Sequence, residues 1–273
     1  MGCQSENQVD EQERKVQERM ASVKQVIVVM SGKGGVGKTS VAVNLAYALA
    51  TSGKSVGLLD TDIHGPNVAK MLGIEDQTME QFGTDMIPVM AASDLKVVSL
   101  ALLGKATDTP FIWRGPMKAA VIRQFLGDVD WGVLDYLVID SPPGTGDEPL
   151  SVCQLLPKIS KAVIVTTPQD VAVLDARKSI MFARELNIPV LGVIENMSGL
   201  ICPHCRTKIY LFKQGGGEKA ANDFDVPFLG SIPLDPELVS LGDSGKPFMS
   251  LKKESEAVLA FGKIVQKIED LCK

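Results

Sequence analysis

The chain has 273 residues, 45% of them hydrophobic, with 28 Lys and Arg against 33 Asp and Glu and a formal net charge of −5. That is enough apolar material for one large core, and the acidic balance excludes the broad basic footprint of a nucleic-acid binder. Its apolar runs stay short of the roughly 18 residues a spanning helix needs, and the polar opening MGCQSENQVDEQERK is no signal peptide, so the expectation is a cytoplasmic protein with neither membrane nor nucleic acid as partner.

Residues 1–22 are charged and nearly free of apolar periodicity, which predicts a loose lead-in helix or a flexible N-terminal arm ahead of a single domain over 23–273. Met1-Gly2 suits N-myristoylation, but Glu6 stands where Ser or Thr is wanted. The run QVIVVM (25–30) is a predicted strand, and MSGKGGVGKT (30–39) follows it. Gly32, Gly37, Lys38 and Thr39 satisfy G-x-x-x-x-G-K-[ST], and the stretch TSVAVNLAYALA behind them is helix-like, the context a phosphate loop requires. In this reading the N–H groups of Gly32, Gly34, Gly35 and Gly37 converge on phosphate oxygens, Lys38 reaches the β- and γ-phosphates, and Thr39 ligates Mg²⁺. Val36 and Ser40 complete the candidate nucleotide-binding stretch, and Lys33 adds a second cation whose simplest role is to solvate the loop rim.

SVGLLD (55–60) predicts the second strand, ending in Asp60 with Asp62 close behind. Alternate residues of an extended chain point the same way, so Asp62 is the candidate water-orienting group and Asp60 an outer-shell magnesium ligand, or else a strand-end cap. YLVID (136–140) places Asp140 at the end of another strand as the candidate Mg²⁺ carboxylate; in the Pro- and Gly-rich turn after it, the Gly144 N–H could sense a γ-phosphate. The same D-S-P-P-G could equally be an ordinary tight turn. Cys153 falls in a predicted helix and reads as core.

AVIVTT (162–167) and VLGVIEN (190–196) predict two more strands, the latter ending at Asn196, which by position alone is a plain strand-end cap. Then comes Cys202-Pro203-His204-Cys205. This C-x-x-C offers half of a tetrahedral thiolate site for a cluster or zinc, or a thiol–disulfide centre, with His204 as a possible extra ligand. A thioredoxin-like centre sits at a helix N-terminus, whereas IYLFK and the Gly215-Gly216-Gly217 break point to a hairpin or loop before the helix GEKAANDF. VPFLGSI (226–232) is the last predicted strand. Residues 251–273 place Val258, Phe261, Val265 and Ile268 on one face of an amphipathic closing helix. Near-continuous apolar strands alternating with helices define an α/β fold with a doubly wound, mostly parallel sheet covered on both faces. No N-K-x-D guanine reader is present, which favours ATP over GTP.

Together SGKGGVGKT, DTDIHGPN and DSPPGTGDE resemble the deviant-Walker-A ATPases, which include nitrogenase iron protein, MinD, ParA and the arsenite-pump ATPase. The resemblance implies that Lys33 crosses a homodimer interface to the partner's nucleotide, making Lys33, Lys38 and Asp62 the catalytic candidates and hydrolysis dependent on dimerisation. Over roughly residues 20–265 the chain is more similar to the Mrp/ApbC-type iron–sulfur cluster carriers, through TTPQDVAVLDARK, IPVLGVIENMSGLICPHC and VPFLGSIPLDPE. That family implies a [4Fe–4S] cluster, with zinc as a possible substitute, bridged between two chains by Cys202 and Cys205. It also implies cluster donors and apo iron–sulfur acceptors as partners, ATP/ADP and Mg²⁺ as ligands, and adenine contacts from Asn196, Pro233 and Leu234. Only Cys3 precedes the core, so the four-cysteine N-terminal site of some relatives is not expected. The alternatives are a MinD/ParA-like partitioning switch without a cluster and a zinc-stapled structural dimer.

Overall fold

A computed structural model describes residues 2–63, 65–104, 115–202, 205, 207–251 and 255–273. The chain begins with α1 (Gly2–Met20), β1 (Val23–Met30), α2 (Lys38–Thr51), β2 (Val56–Asp60) and α3 (Val68–Leu72). A hairpin of β3 (Glu80–Phe82) and β4 (Asp85–Ile87), the short strands β5 (Val89–Met90) and β6 (Lys96–Val98), α4 (Gly115–Gly127), β7 (Leu134–Asp140) and α5 (Asp147–Leu155) follow. Then come β8 (Ser160–Thr166), α6 (Asp170–Glu185), β9 (Val190–Glu195), the hairpin β10 (Leu200–Ile201) and β11 (Lys208–Ile209), and α7 (Gly216–Asp223). The chain closes through β12 (Phe228–Ser231), α8 (Pro236–Asp243) and α9 (Glu256–Leu271).

Among the described residues, eight strands form one sheet in the order β12–β9–β8–β1–β7–β2–β6–β5, parallel except for β5 on β6. The period-2 geometry of a strand divides its side chains between two cores. Ile27 and Val29 of β1 face α2 and α9, joined there by Leu58, Val138 and Val163, whereas Val26, Val28 and Met30 face α4 and α6 with Leu59, Leu137 and Ile164. Both faces are therefore apolar, as the unbroken Val/Ile/Leu runs require. In α9 the spacing of Phe261, Ile264, Val265 and Ile268 buries one face, and Ser255 caps the first turn by accepting from the Val258 N–H at 3.2 Å. Phe261 meets Phe248 edge-to-face at 5.2 Å.

The six predicted strands all lie in this sheet, and β1 sits at the point where the chain turns from one half of the sheet to the other. The carboxyl ends of β1, β2, β7 and β9 share one edge, the edge where ligands of open α/β sheets bind. Two differences from the sequence expectation are physical. Residues 2–20, expected as a loose lead-in helix or a flexible arm, form a helix whose second half is fastened to the domain: Arg19 pairs with Asp85 at 2.6 Å, Lys15 with Asp128 at 3.4 Å, and Met20 is buried. Val16 and Met20 make a two-residue stripe one turn apart, too short to show as periodicity among charged neighbours. The edge strand β5 and its neighbour β6 span two and three residues and carry no run long enough to announce themselves.

Packing is tight where β2 crosses Trp131, which is fully buried and donates its Nε1–H to the Phe125 carbonyl at 2.9 Å. A Cβ added at Gly57 would lie 2.7 Å from Trp131 Cζ3 and 2.9 Å from Leu134 Cδ1. Gly57→Ala is expected to destabilise the fold by about 1–3 kcal/mol through overpacking. Urea denaturation checks this as a lower midpoint with an unchanged slope.

Candidate nucleotide and cysteine sites

The loop between β1 and α2 is shaped by glycines for different reasons. Gly35 and Gly37 adopt left-handed backbone (φ 78° and 81°), which glycine tolerates without strain. At Gly32 a Cβ would come within 2.2 Å of the Asp175 carbonyl oxygen of α6, so the loop can lie against that helix only as glycine. Gly34 has open space around it. Ser31 Oγ donates to the Lys33 carbonyl at 3.0 Å, and Lys33 stands half-buried on the rim. Ser40, in the first turn of α2, accepts from Asn44 Nδ2 through its carbonyl at 2.8 Å.

Lys38 is buried and donates from Nζ to Asp140 Oδ1 at 2.5 Å, and Thr39 Oγ1 donates to Asp140 Oδ2 at 2.7 Å. Parallel register sets Asp60 abreast of Asp140 at the ends of β2 and β7. Burial first, then the neighbouring Asp140 charge, pushes the Asp60 carboxyl up to about 8; burial also raises Asp140, against the pull of Lys38. Asp60 accepts from the Asp62 N–H at 3.1 Å and from Ser99 Oγ at 3.1 Å. Asp62 accepts from the Gly65 N–H at 3.3 Å, so its carboxylate closes a turn beside the site. Two buried carboxylates share one lysine, an excess of negative charge and oxygen donors that suits a hard divalent cation. Thr39, Asp140 and Asp60 thus fit a magnesium–nucleotide site, where the cation would neutralise phosphate charge.

Gly144, read as a γ-phosphate sensor, instead donates its N–H to the Ser31 carbonyl at 2.8 Å. Asn196, read as a base contact, lies against the loop: its Nδ2 donates to the Val36 carbonyl at 2.9 Å and occupies the space where a Gly37 Cβ would sit. Leu234 follows Pro233 beyond β12 and donates its N–H to the Gly199 carbonyl at 2.7 Å, near Asn196 in the chain.

The second site is the β10–β11 hairpin, where Cys202 N–H donates to the Thr207 carbonyl at 3.0 Å. Cys202 and Cys205 are free thiols, Cys202 partly and Cys205 fully exposed; Pro203, His204 and His64 lie outside the described residues. Cys205 Sγ donates to Thr207 Oγ1 at 3.3 Å. Ionised, it can accept from the Thr207 hydroxyl and N–H, which, with Cys202, hold its pKa down at about 7. The motif occupies a hairpin, whereas a thioredoxin-like centre opens a helix. Cys153 is buried and pushed up to about 12, and burial raises Cys272 as well. Among the described residues, no group of three His, Cys, Asp or Glu forms a metal site. Ser99 and Thr207 had escaped the sequence reading: one follows a three-residue strand, and the other is recognisable only as a threonine two residues after a cysteine.

A glycine-rich loop between a parallel strand and a helix, with a buried carboxylate ending the adjacent strand, defines a P-loop nucleoside-triphosphate hydrolase. Residues 22–269 match the family model described as "ParA: NUBPL iron-transfer P-loop NTPase", and the chain belongs to that family of P-loop ATPases. An "Iron-sulfur cluster carrier protein" of Methanocaldococcus jannaschii is 51% identical over 94% of this chain and 88% of the relative. A "Cytosolic Fe-S cluster assembly factor NUBP2 homolog" of Nematostella vectensis is 46% identical over 93% of this chain and 95% of the relative. Among solved structures, a nucleotide-binding protein from Archaeoglobus fulgidus in complex with ADP superposes with TM-score 0.77 at 39% identity, covering 86% of this chain and 92% of that one. The Pyrococcus furiosus cell division ATPase MinD gives 0.65 at 26% identity, covering 91% and 99%.

Lys38→Ala removes the cation that Asp140 and a nucleotide phosphate would share. ATP affinity is expected to fall by about 30-fold or more, about 2 kcal/mol or above for a buried charge contact. Isothermal titration with Mg–ATP measures it.

Proposed function

We propose that the protein is an ATP-hydrolysing carrier that holds a [4Fe–4S] cluster between two copies of the chain and delivers it to apo iron–sulfur proteins. The observation that carries this reading is a pair of free thiols, Cys202 and Cys205, displayed on a hairpin at the nucleotide edge of the sheet. One chain offers two thiolates, and a two-fold partner supplies the other two that a four-cysteine cluster takes. Near-neutral ionisation of Cys205 favours the thiolate that binds metal. Exposed Ile209, Tyr210 and Leu211 beside the cysteines offer apolar surface for the second copy. The names of the Methanocaldococcus and Nematostella relatives support the carrier role, and the latter supports a cytoplasmic location.

In the same reading Thr39, Asp140 and Asp60 hold Mg²⁺, Asp62 orients the attacking water, and Asn196, Pro233 and Leu234 line the base. Lys38 is committed inward to Asp140, whereas Lys33 on the rim reaches the partner's nucleotide and neutralises charge developing on its phosphates. A partitioning switch that attaches to a surface through its last helix is disfavoured, because the apolar face of α9 is buried in the core.

Anaerobic reconstitution of Cys202→Ser/Cys205→Ser is expected to yield almost no cluster by iron analysis and visible absorbance, with ATP binding retained. Wild-type cluster content in that variant would sink the assignment. Lys33→Ala is expected to keep ATP affinity within a few-fold and lose at least about 100-fold in hydrolysis, the scale of one lost transition-state charge contact. Steady-state phosphate release decides it, and unaltered turnover removes the lysine from the mechanism.

A further inference from the structure

The chain leaves the sheet at Glu195, makes the excursion that carries both cysteines, and returns at α7. Glu195, the last residue of β9, is fully buried. Its Oε1 accepts from Ser198 Oγ at 2.6 Å, where the excursion begins, and from the Gly215 N–H at 3.2 Å, where it ends. Its Oε2 accepts from the Gly217 N–H at 2.7 Å. A carboxylate at the first N–H groups of an eight-residue helix is favoured by charge as well as by the hydrogen bonds. A Cβ at Gly217 would lie 2.9 Å from that of Glu195, so the closeness depends on glycine there.

The next residue, Asn196, is the one whose amide holds the Val36 carbonyl of the phosphate loop. Both are pinned by the sheet: Asn196 N–H donates to Thr166 O at 2.8 Å, and Ile232 N–H to Glu195 O at 2.8 Å. Two consecutive side chains therefore grip the nucleotide loop on one side and both roots of the cysteine excursion on the other.

We propose that Glu195 is a positioning residue that couples the phosphate loop to the cysteine hairpin, so that nucleotide binding alters the exposure of Cys202 and Cys205. The inference rests on the reading of those cysteines as the cluster ligands, but it is testable without a cluster. A shift of Val36 and Gly37 around a phosphate displaces Asn196, and the clamp carries the displacement to Ser198, Gly215 and Gly217. A purely structural carboxylate would support the fold without making thiol reactivity depend on nucleotide.

The test follows iodoacetamide alkylation of Cys202 and Cys205 by peptide mass spectrometry, in the full cluster-free chain, with and without saturating Mg–ADP. Fluorescent-ADP titration confirms saturation in each variant. In the parent, Mg–ADP is expected to change the rate by about fivefold or more, the usual lower range of site-to-site coupling. Glu195→Gln replaces one acceptor oxygen by NH₂ against backbone donors, and there the change should disappear. An equal nucleotide effect in Glu195→Gln, or none in the parent, overturns the proposal. Should Glu195→Gln fail to fold, Ser198→Ala carries the test: it removes one bond of the clamp and leaves both glycine N–H groups satisfied, and an undiminished effect overturns the proposal. Reconstitution is read separately, so a chain that binds no cluster yet shows the nucleotide effect would sink the carrier reading and leave the coupling standing.

Discussion

The site depends on a carboxylate that the sheet buries and the loop must satisfy. Asp140 lies at the end of β7 with no exposure to solvent, and its oxygens are taken by Lys38 and Thr39, the two residues that open α2. A lone buried charge would cost several kcal/mol, so the start of α2 is drawn to the end of β7 as firmly as by any apolar contact. That attraction fixes where the phosphate loop closes. It also places the cation and hydroxyl that would meet a magnesium nucleotide, so the fold and the site share one ion pair.

Asp60 shows the same economy from the opposite side. Among the described residues it has no cation of its own, only the Asp62 N–H and the Ser99 hydroxyl, and beside Asp140 its carboxyl resists ionisation. A divalent cation would resolve that repulsion, so an arrangement unfavourable by itself fits a metal cradle. Asp62 is held off by the Gly65 N–H, free of the buried pair and nearer the surface.

Much of this was legible in the sequence because it is written in long or strongly patterned segments. Six apolar runs, the glycine loop with its Lys-Thr ending and the strand-terminal aspartates give the sheet, its edge and the phosphate site. What stayed hidden depends on contacts between distant segments. Ser99 reaches Asp60 only because β6 lies beside β2, and Gly144 reaches Ser31 only because β7 lies beside β1. The contact of the Asn196 amide with the phosphate loop was hidden in the same way, because it depends on the missing side chain of Gly37 far along the chain. Half of the first helix was obscured for a simpler reason: Arg19 finds its carboxylate on a β-hairpin far along the chain.

The positions of the two sites also bear on assembly. Lys38, anchored on Asp140, already supplies the inward cation that a nucleotide phosphate would share, so a second lysine on the same loop adds little to the chain's own phosphate contacts. Cys202 and Cys205 have no third ligand among the described residues and face solvent beside Ile209, Tyr210 and Leu211. In the proposed dimer, each feature incomplete in one chain would be completed by the same operation, a two-fold axis near the nucleotide edge. Such a partner would double two thiolates to four and bring a rim lysine toward a foreign phosphate in one step, so that cluster and nucleotide would be sensed at a common interface. Within each chain Glu195 and Asn196 lie between them, one side chain on a root of the cysteine excursion and the other on the phosphate loop.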